Sequence, residues 1–217
     1  MADKMVSDRV GATLVGGGPV LQGDLEMARA IAPLLVAADG GADTVLEFGQ
    51  MPDWTIGDLD SISRAARDRI GAERMIHDTC QMTTDFEKSL SRIAAPLVLG
   101  LGFLGGQVDH ELAALGALAR KHDPVVLIGA RDVVTHVSVG IDLALDRGAR
   151  CSLFPMAPVR GRSEGLEWPI EGLDFAPGGQ IGTSNRVTGP VRLRFDGPGM
   201  LLILPRAALA PLLAALG

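Results

Sequence analysis

From Ala12 to about Ala130, short apolar runs alternate with helix-length amphipathic segments. That alternation predicts βα units around a mostly parallel sheet. Strands are expected at Ala12 to Val15, Leu34 to Ala38, Trp54 to Ile56, Arg74 to His77, Leu97 to Leu101 and Val125 to Ile128. Between them the pattern predicts helices from Leu25 to Ala32 behind an Asp24 cap, from Asp43 to Phe48, and from Arg64 to Ile70 behind a Ser63 cap. Two more are expected from Thr84 to Ile93 and from Val108 to Lys121.

After Arg131 the period drops to two, with Val133, Thr135, Val137, Val139, Ile141, Leu143 and Leu145 at every second position before the turn Asp146-Arg147-Gly148. This predicts antiparallel β structure. Further short strands are expected at Cys151 to Pro155, Gly165 to Trp168, Val191 to Phe195 and Met200 to Leu204, separated by Gly/Pro turns. The expected fold class is therefore α/β: an N-terminal mostly parallel sheet flanked by helices over residues 1–131, then a C-terminal antiparallel β-sandwich over 132–217.

Composition narrows the function. With 217 residues, 47% of them hydrophobic, the chain has core enough for one large domain or two small ones. A net charge of -6 with no Lys/Arg run argues against nucleic acid or an anionic membrane as partner. Cys80 and Cys151 lack metal-ligand spacing, which argues against a disulfide framework or a zinc site. The apolar stretch Met200 to Leu216 is broken by Pro205, Arg206 and Pro211, and the first ten residues are charged without an apolar core. Neither a membrane span nor a signal peptide is expected, and the expected location is the cytoplasm.

Candidate chemistry concentrates in the first half, where Gly57-Asp58-Leu59-Asp60-Ser61 precedes Thr84-Asp85-Phe86-Glu87-Lys88. Two carboxylates about 5 Å apart at an effective dielectric near 20 repel by roughly 3 kcal/mol, so a cluster calls for a cation. Asp oxygens suit Mg²⁺, which is held by one or two carboxylates together with substrate phosphates. Asp58 and Asp60, at i and i+2 after a strand, either converge on one ion or form a solvated acidic turn. Asp85 reads as a ligand or as a first-turn helix residue, with Thr83 or Thr84 capping and Glu87 completing a box. Lys88 reaches a phosphate or pairs with Asp85 at i, i+3. Asp39, flanked by Gly40 and Gly41 at a strand end, points into the cleft that open α/β sheets place there. Gly16-Gly17-Gly18 forms a phosphate cradle or a tight turn needing positive φ, and Gly105-Gly106 brings Asp109 and His110 to the same edge. In the second half, Trp168 offers a flat face for a cationic heteroaromatic ring or fills a core, with Thr183-Ser184-Asn185 as a polar turn.

Taken in order, Ala38-Asp39-Gly40-Gly41-Ala42, Pro52-Asp53 with Gly57-Asp58-Leu59-Asp60-Ser61, Gln81 with Thr84-Asp85-Phe86-Glu87-Lys88, Gly105-Gly106 with Asp109-His110, and Thr183-Ser184-Asn185 resemble the thiamine pyrophosphokinase family. The resemblance spans nearly the whole chain. It implies an N-terminal nucleotide-binding domain, a C-terminal β-sandwich, and a homodimer with thiamine sites between subunits. It further implies that Asp58, Asp60 and Asp85 handle Mg²⁺ and the ATP phosphates, as metal-binding and catalytic residues. Asp39, Gly40, Gly41, Gln81, Lys88, Gly105, Gly106 and Asp109 would line the substrate site. Trp168 would stack on thiamine's pyrimidine near Ser184 and Asn185. The implied reaction makes thiamine diphosphate and AMP from thiamine and ATP. Gln107 departs from the family, which usually shows Arg there, so a bidentate phosphate donor is lost. Two other readings remain open: a pyrophosphokinase for another hydroxymethyl heterocycle such as a pterin, and a catalytically silent thiamine or nucleotide sensor.

Overall fold

The computed structural model describes residues 6–7, 9–120 and 124–217, grouped into two compact units. One runs to Ala117 and includes Leu127–Gly129; the other holds Leu118–Val126 and Ala130–Gly217. The helix expected to reach Lys121 ends at Leu118, with a turn at residues 119–120, while residue 121 itself and residues 1–5 and 8 of the N-terminal stretch lie outside the described residues.

The first unit contains β1 (Ala12–Val15), α1 (Gln22–Ile31), β2 (Leu34–Ala38), α2 (Gly41–Glu47), β3 (Trp54–Gly57), α3 (Arg64–Ile70), β4 (Met75–His77), α4 (Asp85–Arg92), β5 (Val98–Leu101) and α5 (Val108–Leu118). A further strand, β6, covers Val125–Ile128. Strands β5, β1, β2, β3 and β4 lie in that order, and every pairing among them is parallel. The chain thus steps outward from β1 to β4 and then returns to β1's other side as β5. Connections leaving β1 and β5 diverge there, which opens a crevice at the strands' C-terminal ends. All four residues of β1 are buried, as expected where helices cover both faces of a parallel sheet. Its one polar side chain, Thr13, donates to the Ala32 carbonyl at 2.7 Å. Leu14, Leu35, Ile56 and Leu99 are fully buried around it, each contributing about 2 kcal/mol.

The second unit holds β7 (Asp132–Val137), β8 (Gly140–Leu143), β9 (Arg150–Pro155), β10 (Gly161–Leu166), β11 (Thr183–Phe195), β12 (Met200–Pro205) and a last helix, α6 (Leu209–Leu216). The strand order is β8-β11-β9-β12-β7, with β10 also on β11, and the pairings are antiparallel. The 13-residue β11 pairs with three different strands along its length. Thr183 to Arg186 pair with β9, and the stretch from Val187 to Phe195 pairs with β8 and β10.

Several expectations shift. Helix α1 starts at Gln22, with Leu21 at its N-cap, so Asp24 is a first-turn residue favouring the helix dipole and not a cap. The alternating run from Val133 to Leu145 divides into two strands at Ser138–Val139. Strand β11 starts at Thr183 and not at the expected Val191, so Thr183-Ser184-Asn185 is strand and not turn, and it continues through Gly189-Pro190. Proline is tolerated there because the ladder is interrupted by a register shift between Glu164 and Leu166, opposite Pro190. At that bulge Gly165 has φ 74°, and a Cβ on it would come within 2.1 Å of the Pro190 carbonyl oxygen. Trp168 lies beyond the end of β10. Helix α6 was hidden by Pro211, which sits in the first turn where proline costs little.

Candidate functional site

The loops after β2 and β3 and the start of α4 bring four carboxylates and one lysine together. One oxygen from each of Asp39, Asp58 and Asp60 lies within 4.8 Å of the others. Asp85 enters through Gly57, since a Cβ on that glycine would sit 3.0 Å from both Asp39 Cβ and Asp85 Oδ1. Asp39 (φ 41°) and Leu59 (φ 64°) both adopt left-handed backbone, strain of order 1 kcal/mol each that the surroundings must hold. Leu59 buries its side chain, leaving Asp58 and Asp60 on either side of it facing out. Below the loop, Asp43 in the first turn of α2 accepts from the Ser63 backbone N–H at 3.0 Å and from the Ser63 hydroxyl. Ser63 in turn caps α3 through the Ala66 N–H, as its sequence position foretells.

Lys88 is buried among these carboxylates. Its Nζ donates to Asp58 Oδ2 at 2.8 Å and to Asp85 Oδ1 at 3.0 Å. The i, i+3 pairing expected from sequence is present, and the longer reach to Asp58 is added to it. Burial alone pushes the lysine pKa down, but the hydrogen bonds and charges of Asp58 and Asp85 outweigh it, and the net direction is up. The same contact holds the Asp58 carboxyl below its ordinary value. Helix α4 presents Lys88 from a fixed start, because the Thr84–Glu87 capping box is fully formed.

Asp39 is in the opposite state. Its Oδ2 accepts one N–H, from Ser61 at 3.2 Å, and its Oδ1 is buried with no partner. Burial is the main cause that pushes its pKa up to about 6, reinforced by the charges of Asp85, Asp58 and Asp60. An orphaned buried carboxylate oxygen beside two further carboxylates fits a hard divalent cation such as Mg²⁺.

A cleft of about 1010 Å³ opens beside this cluster, with Asp39, Gly40, Asp85, Gly106, Gln107 and His110 on its walls. Its floor is made of glycine. A Cβ on Gly18 would meet the Gly102 carbonyl oxygen at 2.6 Å, and one on Gly102 would meet the Gly16 oxygen at 2.6 Å. The Gly16 and Gly18 N–H groups bond Leu101 O and Gly102 O, so they are not free to cradle phosphate. Close approach of two backbones, without positive φ at residues 16–18, explains this run. Gly41 is likewise a packing glycine, its Cβ position 2.1 Å from the Val15 oxygen.

Other candidates stand apart from the cluster. Gln81 is exposed on the loop anchored by Asp78, which pairs with Arg92 at 3.1 Å. Gly105 donates its N–H to Glu111 Oε2, and Asp109 is exposed and accepts from its neighbour His110's N–H. Sequence reasoning passed over Phe103, whose ring lies 4.5 Å from that of Phe86 in the cleft wall. A lone Phe among glycines carries no signal until β5 is placed beside β1.

In the second unit Trp168 is 50% exposed, so it is not a core residue. Asn185 is buried and spends its amide on backbone: Nδ2 donates to Trp168 O at 2.6 Å, and Oδ1 accepts from Trp168 N at 3.1 Å and Arg186 N at 2.9 Å. Ser184 is exposed, its Oγ 3.3 Å from Ser152 Oγ.

Comparison with known proteins matches each half of the chain separately. Residues 27–128 match the family model described as Thiamin pyrophosphokinase, catalytic domain, and residues 137–199 match Thiamin pyrophosphokinase, vitamin B1 binding domain. Thiamine pyrophosphokinase 1 of Oryza sativa subsp. japonica is 29% identical over 192 residues, covering 72% of this chain and 72% of its own. Thiamine pyrophosphokinase 2 of the same plant is 30% identical with the same shares. Among solved structures, Thiamin pyrophosphokinase from Candida albicans superposes with a TM-score of 0.75 at 16% identity over 94% of each chain, a likeness of fold.

Proposed function

The chain belongs to the thiamin pyrophosphokinase family, and on that premise we propose that it transfers the pyrophosphoryl group of ATP to the hydroxyl of thiamine, giving thiamine diphosphate and AMP. The hydroxyl oxygen bonds to the β-phosphorus, the bond from that phosphorus to the oxygen of AMP breaks, and the hydroxyl proton passes to a carboxylate of the aspartate cluster. The convergence of Asp39, Asp58 and Asp60 beside a cleft large enough for a nucleotide carries this reading.

Asp39, Asp58 and Asp60 would hold Mg²⁺, with Asp85 beside them. When bound, the ion supplies charge neutralisation to phosphate oxygens. The rest of the work is positioning. Lys88 fixes the orientation of Asp58 and Asp85 from inside the protein, which supports a supporting role in place of direct phosphate contact. Gly40 and Gly106 let a ligand approach backbone, and the Phe86–Phe103 pair gives the cleft an apolar wall suited to an adenine ring. Gln107, neutral where the family usually has Arg, offers the phosphates a hydrogen bond without charge. Trp168 is the proposed stacking surface for thiamine. No helix among the described residues is long and apolar enough to cross a membrane. A cytoplasmic homodimer with thiamine bound between subunits completes the proposal, supported by the family resemblance and by the exposure of Trp168.

The test is chromatographic detection of AMP and thiamine diphosphate from thiamine, ATP and Mg²⁺, with Asp58→Ala as control. Equimolar products, lost in the variant, are expected. Saturable thiamine binding without turnover would instead indicate a sensor, and no thiamine binding would indicate another heterocyclic acceptor.

A further inference from the structure

Strand β10 ends at Leu166, two residues short of Trp168, so the tryptophan's peptide groups lack a continuing ladder partner. Asn185 takes that place. Its side-chain amide bonds both the N–H and the C=O of Trp168, as a neighbouring strand would. The adjacent residue completes the bracket, since the Glu167 N–H donates to the Arg186 carbonyl at 2.9 Å. Arg186 then returns over the indole, its guanidinium carbon 5.6 Å from the ring centroid, and is itself held by Glu167 at 3.0 Å. One face of Trp168 is thus occupied by a cation, and the ring is still half exposed.

From this arrangement we infer that Asn185 and Arg186 are positioning residues of the acceptor site, acting through Trp168 without touching the substrate; the inference rests on the reading of Trp168 as thiamine's stacking surface. Asn185 fixes the backbone from which the ring projects. Arg186, pinned by Glu167, closes one face and polarises the π electrons toward itself, so the open face favours a neutral planar ring over a second cation. Thiamine carries both kinds of ring. The open face accordingly selects the neutral aminopyrimidine and turns the positively charged thiazolium away.

A double-mutant cycle on the full chain tests this. Trp168→Ala is expected to raise the KM for thiamine about tenfold, the size of a lost aromatic stack. Asn185→Ala should raise it by up to about tenfold and Arg186→Gln by about threefold, with kcat at saturating thiamine and the KM for ATP within about twofold of the parent. In the Trp168→Ala background neither change should add anything. A simple N-methyl hydroxyethylthiazolium should also compete with thiamine about threefold better in Arg186→Gln than in the parent. Arg186 is a surface residue, so its variant keeps the test decisive if Asn185→Ala fails to fold. Equal effects of Asn185→Ala or Arg186→Gln with and without the tryptophan would mean direct contact with thiamine and overturn the inference, as would an unchanged KM in the Arg186 variant. If Trp168→Ala leaves the thiamine KM unchanged while turnover persists, the stacking reading falls and takes the inference with it. Absence of thiamine turnover in the parent would be a failure of the proposed function itself.

Discussion

Two sets of charges in this chain have opposite designs. On the outer face of β8, β10 and β11, Asp142 pairs with Arg194 at 2.6 Å and Glu164 with Arg192 at 3.1 Å, one cation to each anion and all well exposed. In the cluster at the ends of β2 and β3, the buried ammonium of Lys88 pairs with Asp58 and Asp85, while Asp39 and Asp60 converge on Asp58 with no cation of their own among the described residues. Water screens the first set, whose removal changes little. The second is built on a buried lysine and a buried aspartate and is short of positive charge, so its residues are worth much more and leave attraction over for a cation. Burial and imbalance together, and not the number of charges, mark the site.

The sharpest way to break this comparison is Asp58→Ala, expected to lower kcat/KM by about a thousandfold or more in the coupled AMP assay. A loss of under tenfold would place Asp58 with the surface ladder. Next, Lys88→Met should destabilise the protein by about 3 kcal/mol in urea unfolding, because Asp58 and Asp85 are left facing each other without their counter-ion. Lys88→Arg, which keeps the charge but not the fit, should recover part of that.

Third comes pH. The folded pKa of Asp39, about 6, lies above its ordinary 3.8, so the folded state binds the proton more tightly than the unfolded chain. Its contribution is therefore complete below about pH 4 and is lost as pH rises through 6. Asp39→Asn should gain about 1–3 kcal/mol of stability over the parent at pH 8 and nothing at pH 4, measured in EDTA to keep divalent ions away. Equal differences at both pH values would show that burial does not raise this carboxyl. Smallest is Arg192→Gln, expected to shift stability by less than about 0.5 kcal/mol and the shift to vanish in 1 M salt.

The elements that were legible in the sequence are those whose signal is local. Strands β1 and β6 and helix α3 fall where apolar runs and the Ser63 cap put them, and the Thr84–Glu87 box marks the start of α4. Long-range outcomes were not legible. Nothing in Thr84 to Lys88 says that the lysine will reach 30 residues back to Asp58, because that depends on β3 and α4 packing together. Asp39 reads as a cleft residue, and only the placement of β2 beside β3 shows it converging with Asp58 and Asp60. Asn185 reads as a ligand contact, whereas tertiary structure spends its amide on Trp168. Strand β11 is longer than the expected Val191 to Phe195 because its first residues pair with β9, a long-range pairing that carries no local signal.

The interlocked glycines at 16, 18 and 102 restrict how this protein can evolve. Where two backbones touch, almost no substitution is silent, so these glycines at the base of the cleft are closed to mutational exploration. A lineage changing what the cleft accepts has to work on the rim, at Gln107, His110 or Glu111, where side chains can be exchanged without moving the chain beneath them.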